Sequence, residues 1–306
     1  MRNYKEFEIQ VEIENSCLLN CSHCSSYEMR KMKRTSYPEA TLIRFIKAFC
    51  NPVHVYLTGG DPALYPNLVA FCEKISCIET CRSVGLYTTG NCAMMKPISS
   101  TYANQLVNAG VTDCYLSIYH CTPGAHDSFT EKVGSFSNTL SSIYNLKDAG
   151  IIPKAHLVLT KQNKNDLDDI IRFCEHIGLG EVRILRLAEA GSAKYNWDKI
   201  GIPIAEQDSI IASLINRKDE FHIKLSFSGY PQLHACRSLE NACKCQAGTN
   251  LLYITLSGEV YPCACTIQFS EQYRLGNISN PAEVIRQIEC AYPHDYNLSC
   301  LNGSMI

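Results

Sequence analysis

The sequence lacks a long apolar run. No stretch of about 18 consecutive apolar residues, the length that suggests a membrane span, occurs in its 306 residues. Residues 1–6 also contain no apolar segment of the kind that a secretory signal needs. We therefore expect no membrane partner, no signal peptide and a cytoplasmic location.

An excess of basic charge is missing as well. The chain carries 28 Lys and Arg against 30 Asp and Glu, a net charge of -2. Nucleic-acid-binding proteins are expected to carry a basic face, so we expect no nucleic-acid partner. The local exception is the cluster Arg30, Lys31, Lys33 and Arg34. It indicates either a solvated patch at a helix start or a docking point for an anionic cofactor or an acidic peptide.

Cysteine, in contrast, is abundant, with 18 residues. A disulfide framework is typical of short secreted chains, and this sequence is neither short nor visibly exported. A reducing compartment with metal–sulfur sites accounts better for the count.

Three cysteines fall within eight residues, in the segment Cys17-Leu-Leu-Asn-Cys21-Ser-His-Cys24. Three thiolates on one loop can bind three irons of a [4Fe–4S] cluster and leave the fourth iron without a protein ligand. The alternatives are a zinc site, buried free thiols or coincidence. Structural zinc usually shows two paired C-x2-C knuckles, and no matching pair follows nearby.

Strand-like and helical segments alternate between residues 7 and 187. This alternation predicts a parallel α/β sheet with right-handed crossovers, in which functional residues gather at the carboxyl ends of the strands. We expect the cysteine loop, Gly59-Gly60, Thr88, Ser117 and Arg186 at that edge. The six predicted strands cover residues 7–13, 53–58, 83–88, 113–119, 155–160 and 182–187.

The cysteine loop and Gly59-Gly60-Asp61-Pro62 together resemble the radical S-adenosylmethionine (SAM) superfamily, whose members pair a C-x3-C-x2-C loop with a Gly-Gly-Glu-Pro motif. The resemblance implies a partial (β/α)6 TIM-like barrel over residues 1–200. It also implies an enzyme whose [4Fe–4S] cluster, bound by Cys17, Cys21 and Cys24, reductively cleaves SAM. The resulting 5′-deoxyadenosyl radical then takes hydrogen from a substrate.

The same resemblance implies which residues contact SAM. His23 stands where relatives have an aromatic residue against adenine, and Ser117 resembles the serine that contacts ribose. Arg186 could pair with the methionyl carboxylate. Polar residues at strand ends are also ordinary, so single matches are weak. The full predicted set is His23, Gly59, Gly60, Asp61, Pro62, Thr88, Ser117 and Arg186. His126-Asp127 and Gly134-Ser-Phe136 further resemble a stretch found in peptide-modifying members.

A second cysteine group resembles the SPASM/twitch auxiliary-cluster domain, expected here over residues 201–306. Cys245, Gly258 and Cys263 follow its C-x12-G-x4-C pattern, and Leu275-Gly-Asn-Ile278 matches its sequel. The resemblance implies one auxiliary [4Fe–4S] cluster, with a zinc site as the alternative. Its ligands are expected to be four of the following, or three of them plus Cys300: Cys236, Cys243, Cys245, Cys263 and Cys265.

The surplus of thiols suggests a hydrogen donor for a substrate radical. The candidates are Cys121 and a spare member of the pair Cys243 and Cys265. The cluster also needs an external electron donor of the flavodoxin or ferredoxin type.

The substrate class stays open at this stage. A ribosomally made peptide is favoured, with epimerisation, thioether formation or another cross-link as the reaction in natural-product maturation. Because only 16 residues precede Cys17, we expect no separate leader-binding domain, which weakens the peptide interpretation. The alternatives are a small-molecule dehydrogenase of the aminoglycoside-alcohol type and a non-catalytic metal-binding module.

Overall fold

The computed structural model of the chain describes residues 6–31, 37–230, 247–248 and 250–290, without the side chains of 268–271. Several residues named above lie outside these ranges, so their predicted roles stay predictions. They are Lys33, Arg34, Cys236, Cys243, Cys245 and Cys300.

Twelve strands and eleven α-helices are formed within the described ranges. The strands are β1 Phe7–Glu14, β2 Val53–Gly59, β3 Cys81–Thr88, β4 Asn91–Cys92, β5 Lys96–Pro97, β6 Val111–Ser117, β7 Lys154–Val158, β8 Glu181–Leu185, β9 Lys224–Ser228, β10 Leu251–Ile254, β11 Glu259–Tyr261 and β12 Gly276–Asn277. The helices are α1 Tyr27–Lys31, α2 Glu39–Lys47, α3 Leu68–Ser76, α4 Ser100–Asn108, α5 Pro123–Thr130, α6 Ser135–Asp148, α7 Leu167–His176, α8 Ala193–Ile200, α9 Ile204–Asn216, α10 Ser270–Tyr273 and α11 Pro281–Cys290.

Ten strands form one sheet in the order β12-β11-β10-β1-β2-β3-β6-β7-β8-β9. The six strands from β1 to β8 in this order are parallel, as the alternation predicted. Strand β9 adds in parallel beside β8, and β10 adds in parallel beside β1. The predicted boundary after residue 200 stays a prediction, and residues on both sides of it contribute strands to this sheet.

Three of the predicted strands end two residues too late, because β6, β7 and β8 stop at Ser117, Val158 and Leu185. The residues just beyond remain enclosed: Tyr119 is 6% exposed and Leu187 is 3% exposed. The strand ends were predicted from apolar residues, and apolar residues mark buried positions. Burial continues here beyond the last residues that pair with a neighbouring strand.

The two faces of the sheet differ in polarity. Along β1 the alternate residues Phe7, Ile9, Val11 and Ile13 join the apolar core, where each enclosed side chain contributes about 1.5–3 kcal/mol. The intervening residues, all Glu or Gln, lie on the opposite face, since side chains alternate along a strand.

Side chains on the polar face reach across an intervening strand, which indicates that this face is concave. Tyr87 of β3 donates to Glu8 of β1 past β2, at 3.2 Å, and Tyr56 of β2 donates to Asp113 of β6 past β3, at 2.7 Å. The sheet therefore encloses a polar lumen and keeps its apolar face for the helices. None of the helices in the described ranges has the length and apolar character needed to cross a bilayer.

Candidate active site

The cysteine loop begins where β1 ends. The buried Glu14 carboxylate accepts the amides of Asn15 and Ser16, each at 3.0 Å, and so turns the chain out of the strand. Further along, the Ser192 amide at the start of α8 donates to the Cys24 carbonyl at 2.9 Å. The loop is thus fixed at its entry and at its last cysteine.

Arg30 of α1 binds the same loop. Its Nη2 donates to the Cys17 carbonyl at 3.1 Å, and its Nη1 lies 4.0 Å from the Cys24 Sγ atom. Arg30 therefore belongs to the site, which the interpretation of a solvated patch missed. Its neighbour Lys31 lies instead over the Tyr27 ring, 3.7 Å from the ring centroid.

The thiols of the loop are enclosed and interact with one another. Burial, followed by the charge of Asp61, raises the pKa of Cys17 to about 12. Burial also raises the pKa of Cys21 well above its ordinary value, and neighbouring Cys17 and Cys24 add to the shift. Thiols in such surroundings ionise only when a strong cationic centre binds them.

The arrangement of donors favours a cluster over a single ion. Among the described residues, no three His, Cys, Asp or Glu side chains converge closely enough to hold one metal ion. In an iron–sulfur cubane each cysteine binds a different iron, so the three thiols need not converge. The three thiols of the loop therefore fit the ligand set of an iron–sulfur cluster.

The backbone at Gly59 and Gly60 lies so close to the start of the cysteine loop that only glycine fits at these two positions. Gly59 has φ +133°, and a Cβ atom there would lie 2.1 Å from the Glu14 carbonyl oxygen. A Cβ atom on Gly60 would lie 2.2 Å from the Ser16 carbonyl oxygen. The end of β2 is thereby pressed against the loop entry. A contact from these glycines to SAM stays a prediction.

Asp61 and Thr88, both predicted to contact SAM, bind each other. The Asp61 carboxylate accepts from the Thr88 hydroxyl at 2.6 Å, from the Ala63 amide at 3.0 Å, and from the amide and hydroxyl of Thr89. Each carboxylate oxygen thus has two donors. Pro62 follows as the first residue of a short 3-10 helix, Pro62–Leu64. The observed role of Asp61 is to fasten the end of β2 to the end of β3.

His23 belongs to a group of aromatic rings behind the loop. Its ring centroid lies 4.8 Å from that of Tyr119 and 4.9 Å from that of Phe129, and burial lowers its pKa to about 4. The Tyr119 side chain also hydrogen-bonds to Ser117 and to Cys21. Sequence reasoning missed Tyr119, although its position just past a strand end marks the same edge.

Arg186 lies at the far side of the sheet, just past β8. Its side chain is 3% exposed, pairs with Asp208 and donates to the Gly229 carbonyl. Its guanidinium carbon lies 4.3 Å from the Tyr230 ring centroid. Only Nη1 has no hydrogen-bond partner among the described residues, so a contact with SAM through Arg186 stays a prediction.

The lumen contains a set of aromatic rings that sequence reasoning did not identify. His156 lies with its ring centroid 4.6 Å from that of Tyr87 and 4.4 Å from that of Tyr115. The Arg183 guanidinium carbon lies 4.3 Å from the Tyr115 ring centroid. The Nε2 atom of His156 is enclosed and has no hydrogen-bond partner among the described residues. Contacts between neighbouring strands create this set, and no local motif announces it.

Two members of the second cysteine group, Cys263 and Cys265, follow β11. A hydrogen bond with Cys265 lowers the pKa of Cys263 to about 7, although burial opposes the shift. Tyr253 lies near both cysteine groups: burial and Glu12 raise the pKa of its phenol, and Cys265 and Cys24 add to the shift. The described part of the second group therefore follows a hairpin whose Tyr253 bonds to Glu12 of β1.

Cys121 lies elsewhere. Its Sγ atom is 3.7 Å from the Nδ1 atom of His120. Burial raises its pKa, and Asp169 and Asp166 near the start of α7 add to the shift. The thiol thus faces α7, and its predicted role as hydrogen donor stays untested.

Asp127 holds the helices α5 and α6 together. Its carboxylate accepts the Gly134 amide at 2.6 Å, the Ser135 hydroxyl at 2.8 Å and the Phe136 amide at 2.8 Å. The HD…GSF pattern therefore has a structural explanation, since Asp127 satisfies the open amides at the start of α6. His126 beside it is fully buried and accepts the Tyr119 amide through Nδ1.

Comparisons with known proteins agree with this site. The model of the radical SAM superfamily matches residues 11–174, and that of the SPASM iron–sulfur cluster-binding domain matches residues 243–288. The first match covers more than half of the chain and includes the cysteine loop, the Gly-Gly motif and Ser117.

Individual relatives are distant. An AdoMet-dependent heme synthase of Nitratidesulfovibrio vulgaris is 24% identical over 275 residues, which cover 83% of this chain and 72% of that protein. A PqqA peptide cyclase of Rhizobium meliloti is 24% identical over 257 residues, which cover 83% of this chain and 66% of the cyclase.

The crystal structure of Streptococcus suis SuiB bound to its precursor peptide SuiA superimposes with a TM-score of 0.70 at 16% identity. The superposition covers 96% of this chain and 66% of SuiB, so this chain spans about two thirds of that protein. The likeness confirms the predicted TIM-like partial barrel.

The two family matches also imply the cofactors: SAM with a [4Fe–4S] cluster for the first, and auxiliary iron–sulfur binding for the second. The chain is a radical SAM superfamily enzyme with a C-terminal SPASM-type iron–sulfur cluster-binding domain.

Proposed function

We propose that this enzyme modifies a ribosomally made peptide, by epimerisation or by forming a thioether or another cross-link. Cys17, Cys21 and Cys24 hold the [4Fe–4S] cluster, while Cys263 and Cys265 contribute to the auxiliary site. When bound, the cluster and SAM supply the 5′-deoxyadenosyl radical chemistry of hydrogen abstraction. A flavodoxin- or ferredoxin-type protein provides the electron.

The observation that carries the proposal is the shared lumen. The cysteine loop follows the end of β1 at this lumen, and Tyr253 of β10, in the hairpin that leads to Cys263 and Cys265, bonds to Glu12 on the lumen face of β1. A substrate lying in this lumen is therefore within reach of both cysteine groups. The chain holds the site rigid through Glu14 and Arg30, which bind the loop backbone.

The polarity of the lumen indicates what kind of substrate enters. Its walls present phenols, carboxylates, His156 and Arg183, most of them bonded to one another. A purely apolar substrate would leave the Nε2 atom of His156, which has no partner among the described residues, unsatisfied at a cost of about 1–3 kcal/mol. A peptide, whose backbone carries a donor and an acceptor at nearly every residue, meets this requirement.

The relatives support a peptide and also keep an alternative. The Rhizobium meliloti relative is named for cyclising a peptide, and SuiB was crystallised with its precursor peptide. The Nitratidesulfovibrio vulgaris relative is named a heme synthase, and its name therefore points to a small molecule. A small-molecule oxidation, such as that of an aminoglycoside alcohol, is the second candidate, because a polar lumen suits it too.

Mass spectrometry in deuterated water distinguishes these reactions. Reconstituted enzyme, SAM and a chemical reductant are incubated with a short peptide encoded beside the gene, or with an aminoglycoside. Gain of one deuterium at Cα identifies epimerisation, and loss of two hydrogens without label identifies a cross-link. Oxidation of the aminoglycoside with an unchanged peptide would overturn the peptide proposal.

A further inference from the structure

Glu12 connects the two cysteine-bearing parts of the chain. It lies on β1, five residues before Cys17, and its side chain is turned into the lumen. Its Oε1 accepts from the Tyr253 hydroxyl at 2.8 Å, and its Oε2 accepts from the Leu256 amide at 3.0 Å. Tyr253 and Leu256 belong to the hairpin of β10 and β11 that leads to Cys263.

The residues of this connection are buried, and both carboxylate oxygens of Glu12 accept a hydrogen bond. Glu12 is 4% exposed, Tyr253 6% and Leu256 7%, so solvent does not compete for the two hydrogen bonds. Enclosed hydrogen bonds are electrostatically stronger than those at the surface, because the surrounding dielectric constant is lower. The Tyr37 hydroxyl also donates to the Glu12 carbonyl, at 3.1 Å, which fixes the backbone of the same residue.

The connection also lies between the two sites. Glu12 lies five residues before Cys17 of the first loop, and the hairpin that it binds leads on to Cys263 and Cys265 of the second group. Strands β1 and β10 are paired only from Glu8 to Val11, below Glu12. Beyond Val11, the side chain of Glu12 therefore continues the connection between β1 and the hairpin toward the cysteine loop.

We propose that Glu12 is a positioning residue, which sets the placement of the hairpin carrying Cys263 and Cys265 relative to the loop carrying Cys17, Cys21 and Cys24. The proposal rests on the proposed function, in which both groups hold clusters. Without this bond the two clusters would keep their ligands, but their mutual distance and the lumen between them would vary.

The test compares three variants of the reconstituted protein. Glu12→Gln replaces one acceptor oxygen by a donor, and Tyr253→Phe removes only one hydroxyl, which keeps the test valid if the first variant folds poorly. Glu8→Gln is the matched control: Glu8 lies on the same strand and face, but its carboxylate bonds to Gln10 and Tyr87, not to the hairpin.

Two readouts are measured. In Glu12→Gln we expect the Leu256 amide to exchange with deuterated water about tenfold faster, because its acceptor is weakened. In Glu12→Gln and Tyr253→Phe we expect unchanged iron content but a broadened magnetic coupling between the two reduced clusters in electron paramagnetic resonance. Glu8→Gln should match the wild type in both readouts.

Glu12→Gln that behaves like Glu8→Gln in both readouts would overturn the proposal. Absence of the auxiliary cluster, on which the proposal depends, gives a different result: wild-type protein would then bind only half the iron that two clusters require. In that case the exchange rate of the Leu256 amide, which needs no metal, still decides whether Glu12 fixes the hairpin.

Discussion

Asp61 and Thr89 are joined by two hydrogen bonds, one from the Thr89 amide at 2.9 Å and one from its hydroxyl, both to the same carboxylate oxygen. This pair links the ends of two neighbouring parallel strands directly beneath the cysteine loop. Asp61, which was expected to contact SAM, thus accepts four hydrogen bonds from within the protein and connects the two strand ends.

Asp61→Asn should destabilise the protein. An amide nitrogen in place of one oxygen would face donors, and an enclosed unsatisfied donor costs about 1–3 kcal/mol of unfolding free energy. Denaturant unfolding measures the change. Asp148→Asn, at an exposed site, is the control and should shift the unfolding free energy by less than about 0.5 kcal/mol. Equal values for the two variants would show that the Asp61 bonds contribute nothing.

Gly60→Ala should displace the cysteine loop. The new methyl group would meet the Ser16 carbonyl oxygen at 2.2 Å, a backbone atom that cannot yield without moving the loop. We expect the reconstituted variant to lose the iron of the first cluster. Gly124→Ala is the matched control, since nothing lies within 4 Å of its added Cβ atom. Full iron content in Gly60→Ala would refute the close approach.

Asp127 should make stability depend on pH in the acid range. Burial works to raise the pKa of Asp127, but hydrogen bonds from Phe136, Gly134 and Ser135 outweigh it, so the pKa is lowered in the folded state. A lowered carboxyl pKa stabilises the fold above the unfolded value of about 3.9, and this contribution is lost as the pH falls through the folded value.

Asp127→Asn is therefore expected to be less stable than the wild type at pH 7, with a difference that shrinks below about pH 4. Urea unfolding across this range measures it. A difference that stays constant with pH would mean that the charge of Asp127 plays no part.

Cys121→Ala should leave turnover nearly unchanged. Its thiol lies beside His120, and the residue packs against the apolar core. Cys265→Ala, in contrast, should abolish product formation, with loss of iron if Cys265 is a ligand and with iron retained if it donates hydrogen. Product and iron assays on both variants separate these roles. Loss of product in Cys121→Ala at full iron content would identify Cys121 as the donor.

The repetitive part of the fold could be predicted because it is encoded locally. Alternation of apolar and polar residues marks each strand, and glycines such as Gly150 mark helix ends with a positive φ. Helix α5 was missed, since its Pro123 and Gly124 are typical of a turn. The same holds for the short strands β4 and β5, whose turn places Met94 and Met95 at positive φ.

Only those parts of the site that form a contiguous motif in the sequence could be predicted. The cysteine triplet and the Gly-Gly motif can be identified from sequence, because each is contiguous. Glu12 and Tyr253 are 241 positions apart, and they meet only because β10 pairs with β1. Likewise, the bonds from Asp61 to Thr88 depend on how β2 and β3 align, which no local pattern specifies.

The most direct test of the account is cleavage of SAM by the reconstituted and reduced protein, with 5′-deoxyadenosine measured by chromatography. The wild type should form 5′-deoxyadenosine, whereas Cys21→Ala should lose the iron of the first cluster and form none. Formation of 5′-deoxyadenosine by Cys21→Ala, or none by wild-type protein with full iron content, would contradict the assignment of the cysteine loop.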